Sequence, residues 1–193
     1  MKLYLATSNP GKVREFSGAG LDIEMLPALA SLPVAPETGA TFEANAIEKA
    51  LYYARHSDRW LIAEDSGLEV DALGGAPGIH SARWAGNDAD NNARLVREIA
   101  GHSLRSARYV CVIALVDQDR VLATFRGTVE GAILDSPRGE HGFGYDPYFL
   151  YPPAARTFAE MTKEEKATIS HRGNAIAQLL TWLRNHAPVP ESL

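Results

Sequence analysis

Four short segments of the chain combine residue types that can bind a phosphate, a metal ion or a nucleobase. The first is the run Thr7-Ser8-Asn9-Pro10-Gly11-Lys12, which follows a short apolar stretch. A tight loop between a strand and a helix directs unpaired backbone N–H groups outward, and hydroxyl, amide and ammonium groups add further donors. The run therefore predicts a phosphate-binding loop. Its spacing is not that of a Walker A motif, and the alternative is an ordinary turn with a solvated lysine.

The second segment is acidic and consists of Glu37 together with the adjacent pair Glu64 and Asp65. The pair directly follows the apolar run 60–63, so it is expected at the carboxyl end of a buried strand, where open α/β sheets bind ligands. Mg²⁺ usually takes one or two carboxylates together with substrate phosphates. Because adjacent strand residues point to opposite faces, only one of Glu64 and Asp65 is expected to face a given metal ion. The alternative is a turn or helix cap, since Asp-Ser-Gly is common in turns.

The third segment is Gly142-Phe143-Gly144-Tyr145-Asp146-Pro147, in which two aromatic rings stand among glycines. Aromatic faces stack on any nucleobase, and glycine lets the backbone approach a ligand closely. Asp146 adds a hydrogen-bond acceptor. The segment predicts a ring lying against a ligand, and the alternative is a plain hairpin with Phe143 in the core.

The fourth segment joins Lys166 to Ser170-His171-Arg172-Gly173. If Ser170 caps the last helix, His171 and Arg172 lie in its first turn, where positive charge opposes the helix dipole. Such a local misfit indicates that an anion or a carbonyl oxygen is bound there. The alternative is that both side chains reach solvent.

An α/β fold is expected to position these segments. Strands are predicted over residues 2–6, 22–26 and 60–63, and a hairpin over 107–116 and 121–126 continues through 128–134. Helices are predicted from Val13, from Thr41, and over 90–100 with Asp88 or Asp90 as N-cap. A capping box at 162–165 begins a further helix, and the apolar spacing of residues 176–183 predicts a terminal one. The chain is interpreted as one domain, 1–193, with a frayed tail at 187–193.

Composition excludes several classes of protein. The 193 residues include 19 Lys and Arg against 24 Asp and Glu, and this net charge of −5 argues against long nucleic acid as a partner. One cysteine, Cys111, excludes a disulfide framework and is expected in the core. The histidines share no metal-ligand spacing, so zinc is not expected. Because no apolar run spans a membrane and no signal peptide is evident, a cytoplasmic protein without a membrane partner is expected.

Six segments in fixed order carry a family resemblance between about residue 3 and residue 184. To those above are added Glu37-Thr38-Gly39 with Thr41-Phe42 and Asn45-Ala46, Glu64-Asp65-Ser66-Gly67-Leu68, and Leu73-Gly74-Gly75-Ala76-Pro77-Gly78. The chain resembles the inosine triphosphate pyrophosphatases, or XTP/dITP diphosphatases. This resemblance implies a Mg²⁺-dependent hydrolysis of deaminated purine nucleoside triphosphates (ITP, dITP, XTP) to monophosphate and pyrophosphate. It also implies an elongated mixed central sheet flanked by helices, with the active site between two lobes, and a homodimer.

The resemblance assigns roles to individual residues. It implies that Thr7 through Lys12, with Lys49, bind the triphosphate, and that Glu37 and Asp65 bind Mg²⁺. Asp65 is also implied as the proton acceptor for the attacking water. The remaining implied nucleotide contacts are Ser66, Phe143, Gly144, Tyr145, Asp146, Lys166, His171 and Arg172. One departure is Glu64, which stands where many relatives have aspartate, so its role stays open.

The chemistry of these residues agrees with a 6-oxopurine substrate. Hypoxanthine and xanthine carry a 6-oxo acceptor, whereas adenine carries a 6-amino donor that Arg172, His171 and Lys166 would oppose. GTP shares the 6-oxo group, so its rejection requires a contact at the 2-position. Two alternatives remain: a related pyrophosphatase acting on modified pyrimidine or methylated nucleotides, and a non-catalytic nucleotide-binding module.

Overall fold

A computed structural model describes residues 2–186, and the frayed tail predicted for 187–193 lies outside the described residues. Seven strands form one sheet in the order β2-β1-β3-β4-β5-β6-β7. Strands β1, β2 and β3 are parallel, whereas β3 through β7 pair antiparallel. The strands are β1 (Leu3–Leu5), β2 (Ile23–Met25), β3 (Leu61–Val70), β4 (Ser106–Asp117), β5 (Arg120–Ile133), β6 (Phe149–Tyr151) and β7 (Arg156–Thr157).

Helices cover both faces of this sheet, which confirms the predicted fold class of a mixed sheet flanked by helices. They are α1 (Pro10–Ser17), α2 (Phe42–Ala54), α3 (Asp88–Ile99), α4 (Lys163–Ile169) and α5 (His171–His186), together with a 3₁₀ helix at Gly78–Arg83. No helix within residues 2–186 is both long and apolar enough to cross a membrane.

Two predicted helix starts are wrong. Helix α1 begins at Pro10 rather than at Val13, because the Asn9 side chain caps it and proline suits the first helical position. Helix α3 begins at Asp88 with Asn87 as its N-cap, not Asp88 or Asp90. Asn87, Asp88 and Asp90 are all residue types that cap helices well, so only the direction of the incoming chain selects one.

The prediction that the third strand ends at residue 63 is also wrong, because β3 continues to Val70. Its polar stretch does not turn: Glu64 pairs with Ile113 and Asp65 with Val112 in the antiparallel ladder with β4. On the other side, the parallel ladder with β1 stops at Ile62. The acidic pair therefore lies within a strand, yet at the point where the parallel part of the sheet ends.

The core is divided among three apolar clusters. One packs α2 against one sheet face, and a second packs α1 and α5 against the opposite face through residues such as Phe16 and Ile176. The third, around Phe149 and Phe158, lies at the far end of the long strands with α3. Alternation along β3 and β4 places successive side chains in different clusters.

Gly127 on β5 allows α5 to approach the sheet. A Cβ atom there would lie too close to the His171 carbonyl oxygen and 2.6 Å from the Ala175 nitrogen. We expect Gly127→Ala to lower the free energy of unfolding by about 1–3 kcal/mol and to lower the denaturant midpoint accordingly. Gly18→Ala is the control, because its nearest contact would be an ordinary 3.7 Å. Equal midpoints for both variants would contradict this packing.

Candidate active site

The candidate site is built where β1 ends and β3 continues alone. The loop after β1 and helix α1 approach this stretch of β3 from one face, and α2 approaches it from the other. Glu64 and Asp65 point to opposite faces, as predicted: Glu64 contacts Lys12 of α1, whereas Asp65 contacts Asn45 of α2. The site thus has two halves that share the backbone of β3.

Glu64 is the centre of the half beside α1. Its carboxylate lies 2.5 Å from Lys12 Nζ and 3.7 Å from Arg172 Nη2, and the Cys111 thiol approaches it at 3.4 Å. Burial alone would raise the pKa of Glu64, but Lys12 and Arg172 outweigh burial and hold that pKa well below its usual range. Glu64 is therefore charged, and its ion pairs connect Lys12 of the phosphate loop to Arg172 at the start of α5.

The charged chain continues from Arg172 to Asp146. Arg172 pairs with Glu15 and donates from Nη2 to Ser66 Oγ at 2.9 Å. Glu15 lies 2.8 Å from Lys166 Nζ, which lies 2.6 Å from Asp146. Burial raises the pKa of Asp146 despite Lys166, whereas the pKa of Glu15 is lowered because Arg172 and Lys166 outweigh its burial.

The other half of the site joins α2 to the 3₁₀ helix. Asp65 Oδ2 accepts from Asn45 Nδ2 at 3.1 Å, and burial raises the pKa of Asp65. Lys49 Nζ donates to the Glu64 carbonyl oxygen at 3.2 Å and pairs with Glu37. Glu37 also accepts from Arg83 Nη1 at 2.6 Å. Although burial opposes the charge of Glu37, these two cations lower its pKa.

Cations and carboxylates alternate throughout both halves, so the site largely neutralises itself. The cations are Lys12, Lys49, Arg83, Lys166 and Arg172, and the carboxylates are Glu15, Glu37, Glu64, Asp65 and Asp146. An anionic ligand would have to exchange partners with these carboxylates. The net charge of −5 therefore does not argue against binding of a small polyanion, because the cations that would contact it lie together in this site.

Two cavities flank Phe143, Lys166 and Arg172, which form their common wall. The larger, about 640 Å³, lies between α1, α4 and α5, and residues of both the α1/α5 cluster and the Phe149/Phe158 cluster line it. The smaller, about 80 Å³, lies beside β3 and the 3₁₀ helix. These cavities agree with the predicted cleft between two lobes.

Beside the smaller cavity, His171 Nδ1 and Arg172 Nε have no hydrogen-bond partner among the described residues. His171 is 4% exposed and its ring stacks on Tyr109 with centroids 4.6 Å apart. Burial, helped by Arg172 and Lys166, holds the pKa of His171 well below its usual value, so the ring is neutral. Unpartnered polar atoms in such a position are ready to bind a polar ligand atom.

Most of the predicted contact residues meet at these cavities. The smaller one is lined by Asn9, Lys12, Ser66, Phe143, Gly144, Tyr145, Asp146, Lys166, His171 and Arg172, and Gly11 lines the larger. Thr7, Ser8, Pro10 and Lys49 line neither, and Glu37 and Asp65 lie in the half beside α2. Phe143 is half-buried, whereas Tyr145 is buried and donates to the Ser81 carbonyl oxygen at 2.8 Å.

The structure contradicts one expectation about this site and one of the alternatives. The loop N–H groups of Gly11 and Lys12 are not unpaired, because Asn9 Oδ1 accepts both, at 2.8 and 3.2 Å. The side chains of His171 and Arg172 do not reach solvent. The misfit of positive charge at the start of α5 is resolved inside the protein, because His171 is neutral and carboxylates balance Arg172. The helix cap by Ser170 is confirmed by its 3.0 Å bond from the Gly173 N–H.

Sequence reasoning missed Glu15, Tyr109 and Arg83. A signal existed for Glu15, which follows Lys12 by three residues on α1 and so shares its face. Tyr109, which donates to Asp146 Oδ1 at 3.3 Å, reads as an ordinary strand residue. Arg83 lies in a segment of irregular sequence and gave no signal. Cys111 is buried as expected, and it also contacts Glu64.

The half beside α2 carries oxygen donors of the kind that suit Mg²⁺. Lys49 Nζ already occupies an oxygen-lined position beside the Glu37 carboxylate and the Glu64 carbonyl, and Asp65 raises its pKa further. Carboxylate and carbonyl oxygens suit a hard divalent cation. Within residues 2–186 no cluster of three or more His, Cys, Asp or Glu side chains forms a complete protein-only site. The residues thus fit a metal ion that takes its remaining ligands from substrate and water.

Comparisons with known proteins agree with this fold. A family model described as the Ham1 family matches residues 3–182. The dITP/XTP pyrophosphatase of Exiguobacterium sp. is 48% identical over 186 residues, covering 93% of this chain and 95% of that protein. That of Ralstonia nicotianae is 46% identical, covering 95% and 96%. The Staphylococcus aureus Ham1 protein structure superposes with a TM-score of 0.86 at 40% identity, covering 96% of this chain and 99% of that one.

Proposed function

Because the chain belongs to the Ham1 family, we propose that it hydrolyses deaminated purine nucleoside triphosphates, such as ITP, dITP and XTP, to the monophosphate and pyrophosphate. Relatives of 46–48% identity carry the name dITP/XTP pyrophosphatase. The observation that carries the proposal is the unpartnered pair His171 Nδ1 and Arg172 Nε beside Lys166. These are the groups expected to meet the 6-oxopurine base.

Selection among purine bases depends on which hydrogen-bonding atoms of the site have no partner within the protein. Arg172 Nη1 pairs with Glu15 and Nη2 donates to Ser66, whereas the Nε–H has no partner among the described residues, and this group can only donate. A 6-oxo group accepts such a bond, whereas the 6-amino group of adenine presents another donor. A site that leaves a buried donor unpaired with the wrong base can discriminate by about 10⁴-fold.

Hydrolysis at the α-phosphorus requires a base for water and cations for the phosphates. Asp65 accepts the proton of a water molecule whose oxygen attacks the α-phosphorus. The bond from that phosphorus to the oxygen bridging to the β-phosphate breaks, and pyrophosphate leaves. In the metal-free protein, burial raises the pKa of Asp65, which favours its acceptance of a proton. Lys12 and Lys49 neutralise charge on the triphosphate and the leaving group.

Mg²⁺ is the proposed cofactor, held by Glu37 and Asp65. When bound, it supplies positive charge to the phosphates and lowers the pKa of bound water. We expect excess EDTA to abolish pyrophosphate release and added Mg²⁺ to restore it, as measured by a coupled pyrophosphate assay. Turnover that persists in excess EDTA would remove the metal from the proposal.

Pyrophosphate release from ITP, dITP, XTP, GTP, dUTP and ATP tests the substrate class. We expect the first three to be hydrolysed efficiently and ATP to be disfavoured by about 10⁴-fold in kcat/KM. A preference for dUTP would instead favour a pyrimidine-type pyrophosphatase. Binding of ITP without pyrophosphate release would favour a non-catalytic nucleotide-binding module.

We further propose that the protein is a cytoplasmic homodimer. The dimer rests on the family resemblance, and the compartment rests on the single cysteine, Cys111, which suits a reducing environment. Light scattering during size-exclusion chromatography measures the mass directly. A mass equal to one 20.9 kDa chain would contradict the dimer.

A further inference from the structure

The loop that carries Phe143 is held by two polar side chains of α3. Asp88 Oδ2 accepts from the Gly144 N–H at 2.9 Å, and Asn92 Nδ2 donates to the Gly144 carbonyl oxygen at 3.0 Å. The two residues are four apart on the helix, so they share one face. Together they bind both polar groups of one peptide residue across more than fifty positions of sequence. We call this pair of contacts the α3 clasp.

The clasp acts on the residue next to Phe143. Gly144 has φ +61°, the left-handed conformation, and Phe143 donates its own N–H to Asp146 Oδ2 at 3.0 Å. The Phe143 ring lies against Gly11 and 5.0 Å from Lys166 Nζ, in the wall between the two cavities. Because Phe143 is only half-buried, core packing alone does not fix its position.

We propose that Asp88 and Asn92 are positioning residues that act through Gly144 to hold Phe143 against the base of the bound nucleotide. This inference rests on the proposed function, since it is the nucleotide base that Phe143 would contact. Asp88 itself lines the smaller cavity, so the clasp lies at the edge of the site. Asp88 is exposed, so water can replace its bond, and its removal should affect binding more than folding.

A double-mutant cycle between Asp88 and Phe143 tests the proposal. Asp88→Ala should raise KM for ITP about threefold to tenfold with little change in kcat, because base stacking contributes to ground state and transition state alike. In a Phe143→Ala background the same change should have no further effect. Inhibition by pyrophosphate, which has no base, should be unchanged. Asp88→Asn keeps an acceptor oxygen and should restore most of the lost affinity.

Asp90→Ala is the matched control. It removes a carboxylate from the same first turn of α3, but Asp90 bonds to Asn87 and not to the loop. Its KM should therefore stay at the wild-type value. Hydrogen exchange of the segment 142–146 gives a readout independent of activity, and Asp88→Ala should accelerate it.

The outcomes separate the two proposals. Additive effects of Asp88→Ala and Phe143→Ala, or an equal KM effect in Asp90→Ala, would overturn the α3 clasp. Unchanged hydrogen exchange at residues 142–146 in Asp88→Ala would also overturn the α3 clasp. If the wild-type protein released no pyrophosphate from ITP, the proposed function would fail instead, and the exchange measurement would still decide whether Asp88 holds the loop.

Discussion

Replacement of Asp65 by asparagine is expected to lower the rate of pyrophosphate release from ITP by about 10²–10⁴-fold, the usual contribution of a positioned general base. The amide retains the size of the carboxylate and can keep the bond from the Ser66 N–H, which Oδ1 accepts at 3.0 Å, although its Nδ2 replaces the oxygen that accepts from Asn45 Nδ2. It cannot accept a proton from water. The loss should therefore appear in kcat, measured by steady-state kinetics at saturating Mg²⁺, and circular dichroism should show that the variant remains folded.

The control for this variant is Asp117→Asn, which removes a carboxylate at the end of β4, away from the site. It should retain wild-type activity. The pH profile gives a second test: a protonated Asp65 cannot accept a proton from water, so the rate should fall at acidic pH. Asp65→Asn should lose this acid limb. Activity within tenfold of wild type would exclude Asp65 as the base.

Replacement of Glu64 by glutamine is expected to destabilise the protein by about 3–5 kcal/mol, because it leaves cations in a buried site without their counter-charge. Glu64 is 2% exposed, and Lys12 has no other ion-pair partner among the described residues. Urea unfolding followed by circular dichroism measures the change. Activity should fall as well, because Lys12 and Arg172 are positioned through this carboxylate.

The matched control is Glu24→Gln, which breaks an exposed pair with Lys2 at 3.2 Å and should cost less than about 1 kcal/mol. Combining Glu64→Gln with Lys12→Met should be less destabilising than the sum of the two single changes, because the Lys12 charge that Glu64 balances is removed together with it. Additive losses would show that the two side chains are not coupled.

The pH dependence of this effect has a definite sign. Because the folded-state pKa of Glu64 is lowered, its ionisation stabilises the fold above the unfolded-state value near 4.3. That stabilisation is lost progressively as pH falls below about 4. The difference in stability between wild type and Glu64→Gln should therefore narrow in acid. A difference that stays constant down to strongly acidic pH would contradict a lowered pKa.

The strand β3 illustrates where local sequence misleads. Glu64-Asp65-Ser66-Gly67 has the composition of a turn, yet it forms a ladder with β4, whose partners lie more than forty residues away. Gly67 is required there because a Cβ atom would meet the Gly78 carbonyl oxygen and Ser81 of the 3₁₀ helix. Pairing and close packing of this kind depend on distant residues, so turn propensity alone gives the wrong answer.

The phosphate loop shows the same limit on a smaller scale. Its residue types indicate a helix after β1, and this helix is present, although it begins at Pro10 and not at Val13. The capping bonds of Asn9 decide that the Gly11 and Lys12 N–H groups are already partnered. A side chain that can cap a helix can equally face a ligand, and the sequence does not separate these two uses.

The sequence by itself determined the mixed α/β class, the order of the segments that carry chemistry, and the opposite orientation of Glu64 and Asp65. These follow from periodicity and from residue types at short spacing, which are local properties. Only the tertiary structure decided that Glu15, Tyr109 and Arg83 join the site, and that each cation there is paired with a carboxylate. Ionic pairing and burial depend on elements that meet only after folding, so the pKa of Asp65 and the neutrality of His171 are properties of the folded chain.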